Sequence, residues 1–317
     1  MASSPAAGEV ESPLPPLLPQ RRPATARPCC TALAACLWVA LKWVTVYPAR
    51  WCALWLVYGP FEWACRRRRC VYVDMVGGEV REREFPVDGL PRPPPSTVRV
   101  VCISDTHDRL GWVDVPPGDV LVHAGDVTML GGWGDCSAAW AGRQLRALPH
   151  AHKVVIGGNH DACLAAAGPE HAAALLGAGI TYLECSGARV PVTGADGGTR
   201  SLSVWGVPHT PRSRSPNSAW QERAGTAALA ASFSTIPRGL DILVTHTPPE
   251  FCAELYAVTV RTARPRLVVS GHIHDAAGAA RAPYEGGVWI NAAVVGGGCW
   301  YLPRNPAIVY DLPLPPP

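Results

Sequence analysis

Val98-Arg99-Val100-Val101-Cys102-Ile103-Ser104-Asp105-Thr106-His107 carries an apolar run straight into a carboxylate and an imidazole. A short, nearly continuous apolar run reads as a buried strand. Residues two apart on a strand share one side, so Asp105 and His107 can grip a single ion. Alone, the pair would also fit a helix cap and a core histidine. Four further polar clusters follow, each just past an apolar run: Gly125-Asp126, Gly157-Gly158-Asn159-His160-Asp161, Thr245-His246-Thr247 and Gly271-His272-Ile273-His274.

Outward from that stretch the pattern is regular. Strand-like runs fall at 98–104, 119–124, 152–157, 179–184, 201–206, 240–245, 266–270, 287–291 and 307–310. Helix-like segments rich in Ala and Leu lie near 137–148, 169–177 and 219–232. The first part alternates strand and helix, and the second is richer in strands. This predicts an α/β fold of two stacked sheets covered by helices. Ahead of it, Val71 to Phe85 alternates around Gly77-Gly78, a hairpin signal. Arg92-Pro93-Pro94-Pro95 reads as a stiff linker. No repeat is visible at solenoid periods.

The N-terminal region differs. Residues 1–28 are rich in Pro, Ala, Ser and Arg and read as a disordered tail. Ala32 to Ala64 holds only three charges, Lys42, Arg50 and Glu62, and five tryptophans. Pro48 splits it into runs shorter than the ~20 residues a spanning helix needs. Arg21, Arg22 and Arg27 precede it and Arg66 to Arg69 follow it. Residues 29–70 therefore read as a membrane-associating segment, an interfacial anchor or re-entrant hairpin. Cys29, Cys30, Cys65 and Cys70 at its margins are placed to carry palmitate. A tilted spanning helix, a cleaved targeting segment and helices packed on the main domain are the alternatives. Residues 71–317 are expected to form the main domain, with its core at 98–312.

Length and composition bound the rest. The 317 residues are 48% apolar, ample for a core. Net charge is +3, carried by 26 arginines and two lysines, with no basic face for nucleic acid beyond Arg66 to Arg69. Twelve cysteines without CxxC pairs do not form a disulfide framework in a chain this long. None of the four asparagines starts a glycosylation sequon. The expected setting is intracellular, with the main domain in the cytosol.

Asp105, His107, Asp126, Asn159, His246, His272 and His274 all sit where a strand meets a loop, the place where sites collect in such sheets. Carboxylate, amide and imidazole together suit Mn, Fe or Zn ions. Two ions about 3.5–4 Å apart can clamp the attacking and leaving oxygens of a phosphoryl transfer, and Asp126 is the candidate bridge between them. Gly125, Gly158 and Gly271 precede ligands and are expected to allow positive φ and close backbone approach. His160 faces away from Asn159 and is assigned to protonating the leaving oxygen or stabilising phosphoryl charge. His209, after a strand, is a candidate for the substrate pocket. His123 reads as a residue behind the ligands or in the core, and Cys102 as a small buried apolar residue. His150, His152 and His171 carry no motif and are expected at the surface. Asp108 and Asp161 are expected to cap helices or brace the site.

Asp105-Thr106-His107, Gly125-Asp126, Gly158-Asn159-His160-Asp161, His246 and Gly271-His272-Ile273-His274, in this order, resemble the calcineurin-like metallophosphoesterase superfamily over roughly residues 98–312. Cys102-Ile103-Ser104-Asp105-Thr106-His107, His123-Ala124-Gly125-Asp126, Ile290-Asn291-Ala292 and Ile308-Val309-Tyr310-Asp311-Leu312-Pro313 narrow it. They resemble the metallophosphoesterase-domain-containing group (the fetal-brain 239 type), related to class III cyclic-nucleotide phosphodiesterases. The resemblance implies a four-layer αββα sandwich of two mixed β-sheets flanked by helices, with a dinuclear centre. The first metal would take Asp105, His107, Asp126 and His274, and the second Asp126, Asn159, His246 and His272. A hydroxide between them would attack phosphorus without a covalent enzyme intermediate. Some animal members of the group lose one histidine of the last motif, and here both are present. The subgroup often has Glu where Asp161 stands.

These residues point to a metal-dependent phosphoric ester hydrolase acting on a small-molecule substrate, and first to a phosphodiesterase. Protein phosphatases of this superfamily usually carry Asp-Arg-Gly after the bridging aspartate motif, whereas here Val127-Thr128-Met129 follows Asp126. A phosphomonoesterase or protein phosphatase is the alternative, and a membrane-tethered metal-binding scaffold with little turnover the other. The sequence leaves the natural substrate, the metal and the oligomeric state open.

Overall fold

The computed structural model describes residues 68–314 apart from 130, 132–134, 195–196, 214–218 and 297–302. The chain runs β1 (Arg69–Val76), β2 (Glu79–Pro86), β3 (Thr97–Ile103), β4 (Val120–His123), α1 (Asp135–Ala147), β5 (His152–Ile156), α2 (Ala162–Ala167), α3 (Pro169–Leu176) and β6 (Thr181–Leu183). It continues through β7 (Ser186–Thr193), β8 (Thr199–Val207), β9 (Thr210–Pro211), β10 (Gln221–Glu222), α4 (Ala227–Ser234), β11 (Ile242–Thr245) and α5 (Ala253–Val258). The last strands are β12 (Leu267–Ser270), β13 (Gly278–Arg281), β14 (Val288–Asn291) and β15 (Ile308–Pro313).

Two mixed sheets carry the architecture. The first has the order β2-β1-β15-β3-β4-β5-β6 and the second β13-β14-β12-β11-β8-β7. Alternation along each strand sorts the side chains into layers. Val98, Val100, Cys102 and Val122 of the first sheet meet Val204, Ile242, Val244 and Val269 of the second in a shared core. Val101, Ile103 and Leu121 turn the other way, onto Leu145, Leu164 and Leu176 of α1, α2 and α3. Leu243 and Val268 of the second sheet turn onto Leu229 and Phe233 of α4 and Leu255 of α5. The order is helix, sheet, sheet, helix. Each fully buried Leu, Ile or Phe contributes about 1.5–3 kcal/mol. Cys70, Cys102, Cys163, Cys185 and Cys252 are free thiols.

The C-terminal strand locks the N-terminal hairpin into the first sheet. β15 pairs parallel with β1 and antiparallel with β3. Asp311 on β15 takes both Arg99 Nε and Nη2 at 2.8 Å and the Tyr72 hydroxyl at 2.9 Å. Arg99 Nη2 also donates to Pro91 O at 2.7 Å, so the proline-rich linker is held against the same strand.

Parallel pairing of β3, β4 and β5, and of β8, β11, β12 and β14, sends their C-terminal ends to one edge of each sheet. The two edges are stitched together: Ser104 forms a parallel bridge with Ala293 just past β14, and Val294 N donates to Ser104 O at 3.0 Å.

Some expectations need correction. Residues 219–232 are not one helix: Gln221–Glu222 pairs with Thr210–Pro211, and α4 starts only at Ala227. Gly225 at φ 77° turns the chain, and the Thr226 hydroxyl caps the helix by accepting from Leu229 N. Strands β7 and β13 were not anticipated. Both are edge strands, and β7 holds Pro191, which only an edge position tolerates. His150 is buried, not exposed, because its Nε2 bonds Pro116 O at 3.0 Å. β1 takes up Arg69 and Cys70, the last residues of the segment read as membrane-associating, and Cys70 is fully buried in it. The rest of that segment and the tail before it lie outside the described residues. No helix among the described residues is long and apolar enough to cross a membrane.

Candidate metal centre

Four of the seven candidate ligands have left-handed backbones: Asp105 at φ 55°, His107 at 44°, Asp126 at 55° and His272 at 65°. Such conformations cost of order 1–3 kcal/mol each and persist where surrounding bonds over-determine them. Here Asp105 N donates to Gly125 O at 2.9 Å and His107 N to Asp126 O at 3.0 Å. His272 N donates to the Asp105 carboxylate, at 2.9 Å to Oδ2. Of the three glycines expected to take positive φ, only Gly125 does, at 98°. Gly158 and Gly271 are needed for space. A Cβ on Gly158 would strike Asp126 Oδ1 and His246 Cε1, and one on Gly271 would strike Ser104 Oγ and Asp105 Oδ2.

The seven side chains converge. His274 Nε2 lies 3.2 Å from Asp105 Oδ1 and 3.5 Å from His107 Nε2. His107 Nε2 is 3.8 Å from Asp126 Oδ2, and His246 Nε2 is 3.3 Å from that same oxygen. His246 Nε2 is also 3.1 Å from Asn159 Oδ1, and its ring centroid is 4.9 Å from that of His272. Asp105, His107 and His274 form one group with ligand atoms within 4.8 Å of one another. Asp126, His246 and His272 form another, and Asn159 joins it through His246. Asp126 stands between the two.

The chemistry of these donors fits cations. His246 Nδ1 faces Ala124 O at 2.9 Å, so Nδ1 carries a proton and donates. Nε2 then turns its lone pair toward a carboxylate oxygen and an amide oxygen, three acceptors on one point. A proton or a metal ion must sit among them. Burial lowers the affinity of the His246 imidazole for a proton, yet the Asp126 carboxylate outweighs it and lifts the pKa to about 9. Asp126 is held low against its burial by the charge of His246. Burial likewise opposes the Asp105 charge, but the His274 hydrogen bond and the His246 charge hold its pKa at about 2. Burial first, and then the charges of neighbouring histidines, push His107 down to about 3 and His272 to about 4 against the pull of Asp105 and Asp126. His107 and His272 are thus neutral imidazoles beside the ionised Asp105 and Asp126, the states that metals bind, and an ion at His246 would take the place of the proton on Nε2.

His160 lies beside the first group. Its ring is edge-on to that of His107 at 4.5 Å between centroids, its Nδ1 is 2.5 Å from Met129 O, and its backbone N donates to Asp126 Oδ1 at 2.8 Å. His123 is fully buried, with Nε2 2.9 Å from Thr106 Oγ1, so it braces the residue between Asp105 and His107. His209 stands outside both ligand groups, with Nδ1 3.5 Å from Cys185 Sγ.

Sequence reasoning underrated or missed several supports. Asp161 does not cap α2 with its side chain. It turns back and accepts from Val127 N, Thr128 N, Thr128 Oγ1 and Gly158 N at 2.8–3.2 Å. Burial and the nearby Asp126 push its carboxyl up to about 7 against those donors. Trp220 packs so closely on Gly157 that a Cβ there would strike the indole, and its Nε1 donates to Glu184 Oε1 at 3.1 Å. The doublet Gly157-Gly158 was the one sequence signal of that contact.

This fold, with its paired ligand groups, defines a metal-dependent phosphoesterase, and the chain belongs to the calcineurin-like phosphoesterase family, whose model matches residues 98–276. Metallophosphoesterase domain-containing protein 1 of Homo sapiens is 32% identical over 259 residues, which cover 70% of this chain and 73% of that one. The protein of the same name from Mus musculus matches to the same extent. UPF0046 protein C25E10.12 of Caenorhabditis elegans is 31% identical over 246 residues, 69% of this chain and 82% of that one.

Proposed function

We propose that the protein is a phosphodiesterase with a dinuclear centre, holding two ions of Mn, Fe or Zn, that hydrolyses a small phosphate diester. The observation that carries this is Asp126, whose Oδ2 lies 3.3 Å from His246 Nε2 of its own group and 3.8 Å from His107 Nε2 of the other. Asp105, His107, Asp126 and His274 would hold one ion, and Asp126, Asn159, His246 and His272 the other. When bound, such ions polarise a phosphoryl oxygen and supply a nucleophile at neutral pH.

The chain's own groups do the rest. The two buried carboxylates concentrate negative charge where the ions bind. Asp126 Oδ1 takes the backbone N–H of His160 and so ties the position of that ring to the ligand set. His160 Nδ1 donates to Met129 O, which leaves Nε2 as the nitrogen that meets substrate. Protonated there, it delivers a proton to the departing oxygen. The preference for a diester rests on Val127-Thr128-Met129 after Asp126, uncharged residues at positions where an arginine would meet the second negative charge of a monoester.

The experiment is hydrolysis of bis-p-nitrophenyl phosphate against p-nitrophenyl phosphate, each with added Mn²⁺. Faster cleavage of the diester is expected. Faster cleavage of the monoester would make the protein a phosphomonoesterase, and silence with metal bound would make it a scaffold.

A further inference from the structure

Val127-Thr128-Met129 is a short strap whose last two carbonyls face the two central histidines. Thr128 O accepts from His107 Nδ1 at 3.3 Å and Met129 O from His160 Nδ1 at 2.5 Å. The amides of the strap are held from the other side by two carboxylates. Asp161 takes the N–H groups of Val127 and Thr128. Asp108 Oδ2 takes the N–H of Met129 at 2.9 Å. Asp108 is itself locked to the strap, since its backbone N donates to Val127 O at 3.0 Å. Its φ of 62° is the left-handed value that turns the side chain back along the strap.

From this geometry we infer that Asp108 is a positioning residue for catalysis: its carboxylate holds the Met129 amide, and through it the Met129 carbonyl that aims His160. The inference rests on the catalytic role proposed above for His160. Peptide planarity transmits the constraint. The Met129 N–H and the Thr128 carbonyl belong to one rigid plane, so an acceptor on the N–H fixes Thr128 O directly and reaches Met129 O through the Met129 Cα, whose position that plane sets. Hydrogen bonds in such a chain also polarise one another. Asp161 cannot substitute, because its four bonds end at Thr128 and Gly158. The fixed plane also carries Thr128 O, the partner of His107 Nδ1, but that contact is longer, at 3.3 Å against 2.5 Å for Met129 O and His160, and the His107 backbone is pinned separately to Asp126 O.

The test uses the full chain with Mn²⁺ and bis-p-nitrophenyl phosphate. Asp108→Gly removes the acceptor and tolerates the left-handed backbone without strain. Asp108→Asn keeps an acceptor oxygen, and asparagine also tolerates that backbone. Asp108→Gly is expected to lower kcat about 10–100-fold, the usual cost of losing a partner behind a catalytic group. KM, bound metal and thermal unfolding should stay near the parent's, and Asp108→Asn should restore most of the rate. In a His160→Ala background Asp108→Gly should cost nothing further. An unchanged kcat in Asp108→Gly overturns the inference. So does an equal loss in the His160→Ala background, or a loss that tracks metal content. If His160→Ala alone leaves the rate intact, the role proposed for His160 fails instead, which separates the two.

Discussion

Asp126→Asn is expected to lower turnover about 10³-fold or more, since removing a single charge-stabilising group from an acyl-transfer site already costs 10²–10³, and to lower bound metal at both positions. The change is nearly isosteric, so the expected loss is electrostatic. Asp126 Oδ1 keeps its bond from His160 N in the variant. The new amide NH₂ replaces Oδ2, which lies 3.3 Å from His246 Nε2 and 3.8 Å from His107 Nε2. A donor then points where a cation is to sit, and one buried negative charge is gone. Metal analysis after gel filtration, together with diester kinetics, reads both effects. Retention of the parent's metal content and rate would remove Asp126 from the bridging role.

His160→Ala is expected to do the opposite to the two readouts. Metal content should remain at the parent's level while kcat falls about 10²–10⁴-fold, the range for loss of a general acid. The backbone N–H of residue 160 still bonds Asp126 in the variant, so the ligand loop keeps its anchor. The void beside His107 is the size of one imidazole, and Asn159 and Asp161 hold the loop through their own bonds. Loss of metal together with activity would make His160 a ligand, a possibility raised by its nearness to His107 and Asp126.

Much of this was legible in the amino-acid order because each strand feeding the site is buried on both faces. Val98 to Ile103, Ile242 to Thr245 and Leu267 to Ser270 are apolar almost throughout and end in polar clusters. Convergence of the seven side chains followed from strands running parallel to a common edge. The edge strands β7 and β13 were not legible, since small and polar residues on a half-exposed strand resemble loop. Ala227 to Ser234 blurred into the segment before it because Thr226, the actual cap, lies within an apparently helical composition. The strap beside Asp108 left no trace for a further reason: its contacts to His107 and His160 are made by the carbonyls of Thr128 and Met129, and a carbonyl is the same in every residue. The role of Asp161 became clear only from the donors it faces, which surround its carboxylate from residues 127, 128 and 158.

Anomalous diffraction from crystals of the protein grown with Mn²⁺ tests the shared-carboxylate centre most directly. Two peaks are expected, one on each side of the Asp126 carboxylate, the first among Asp105, His107 and His274 and the second among Asn159, His246 and His272. A single peak, or peaks that leave Asp126 or Asn159 without a metal contact, would contradict it.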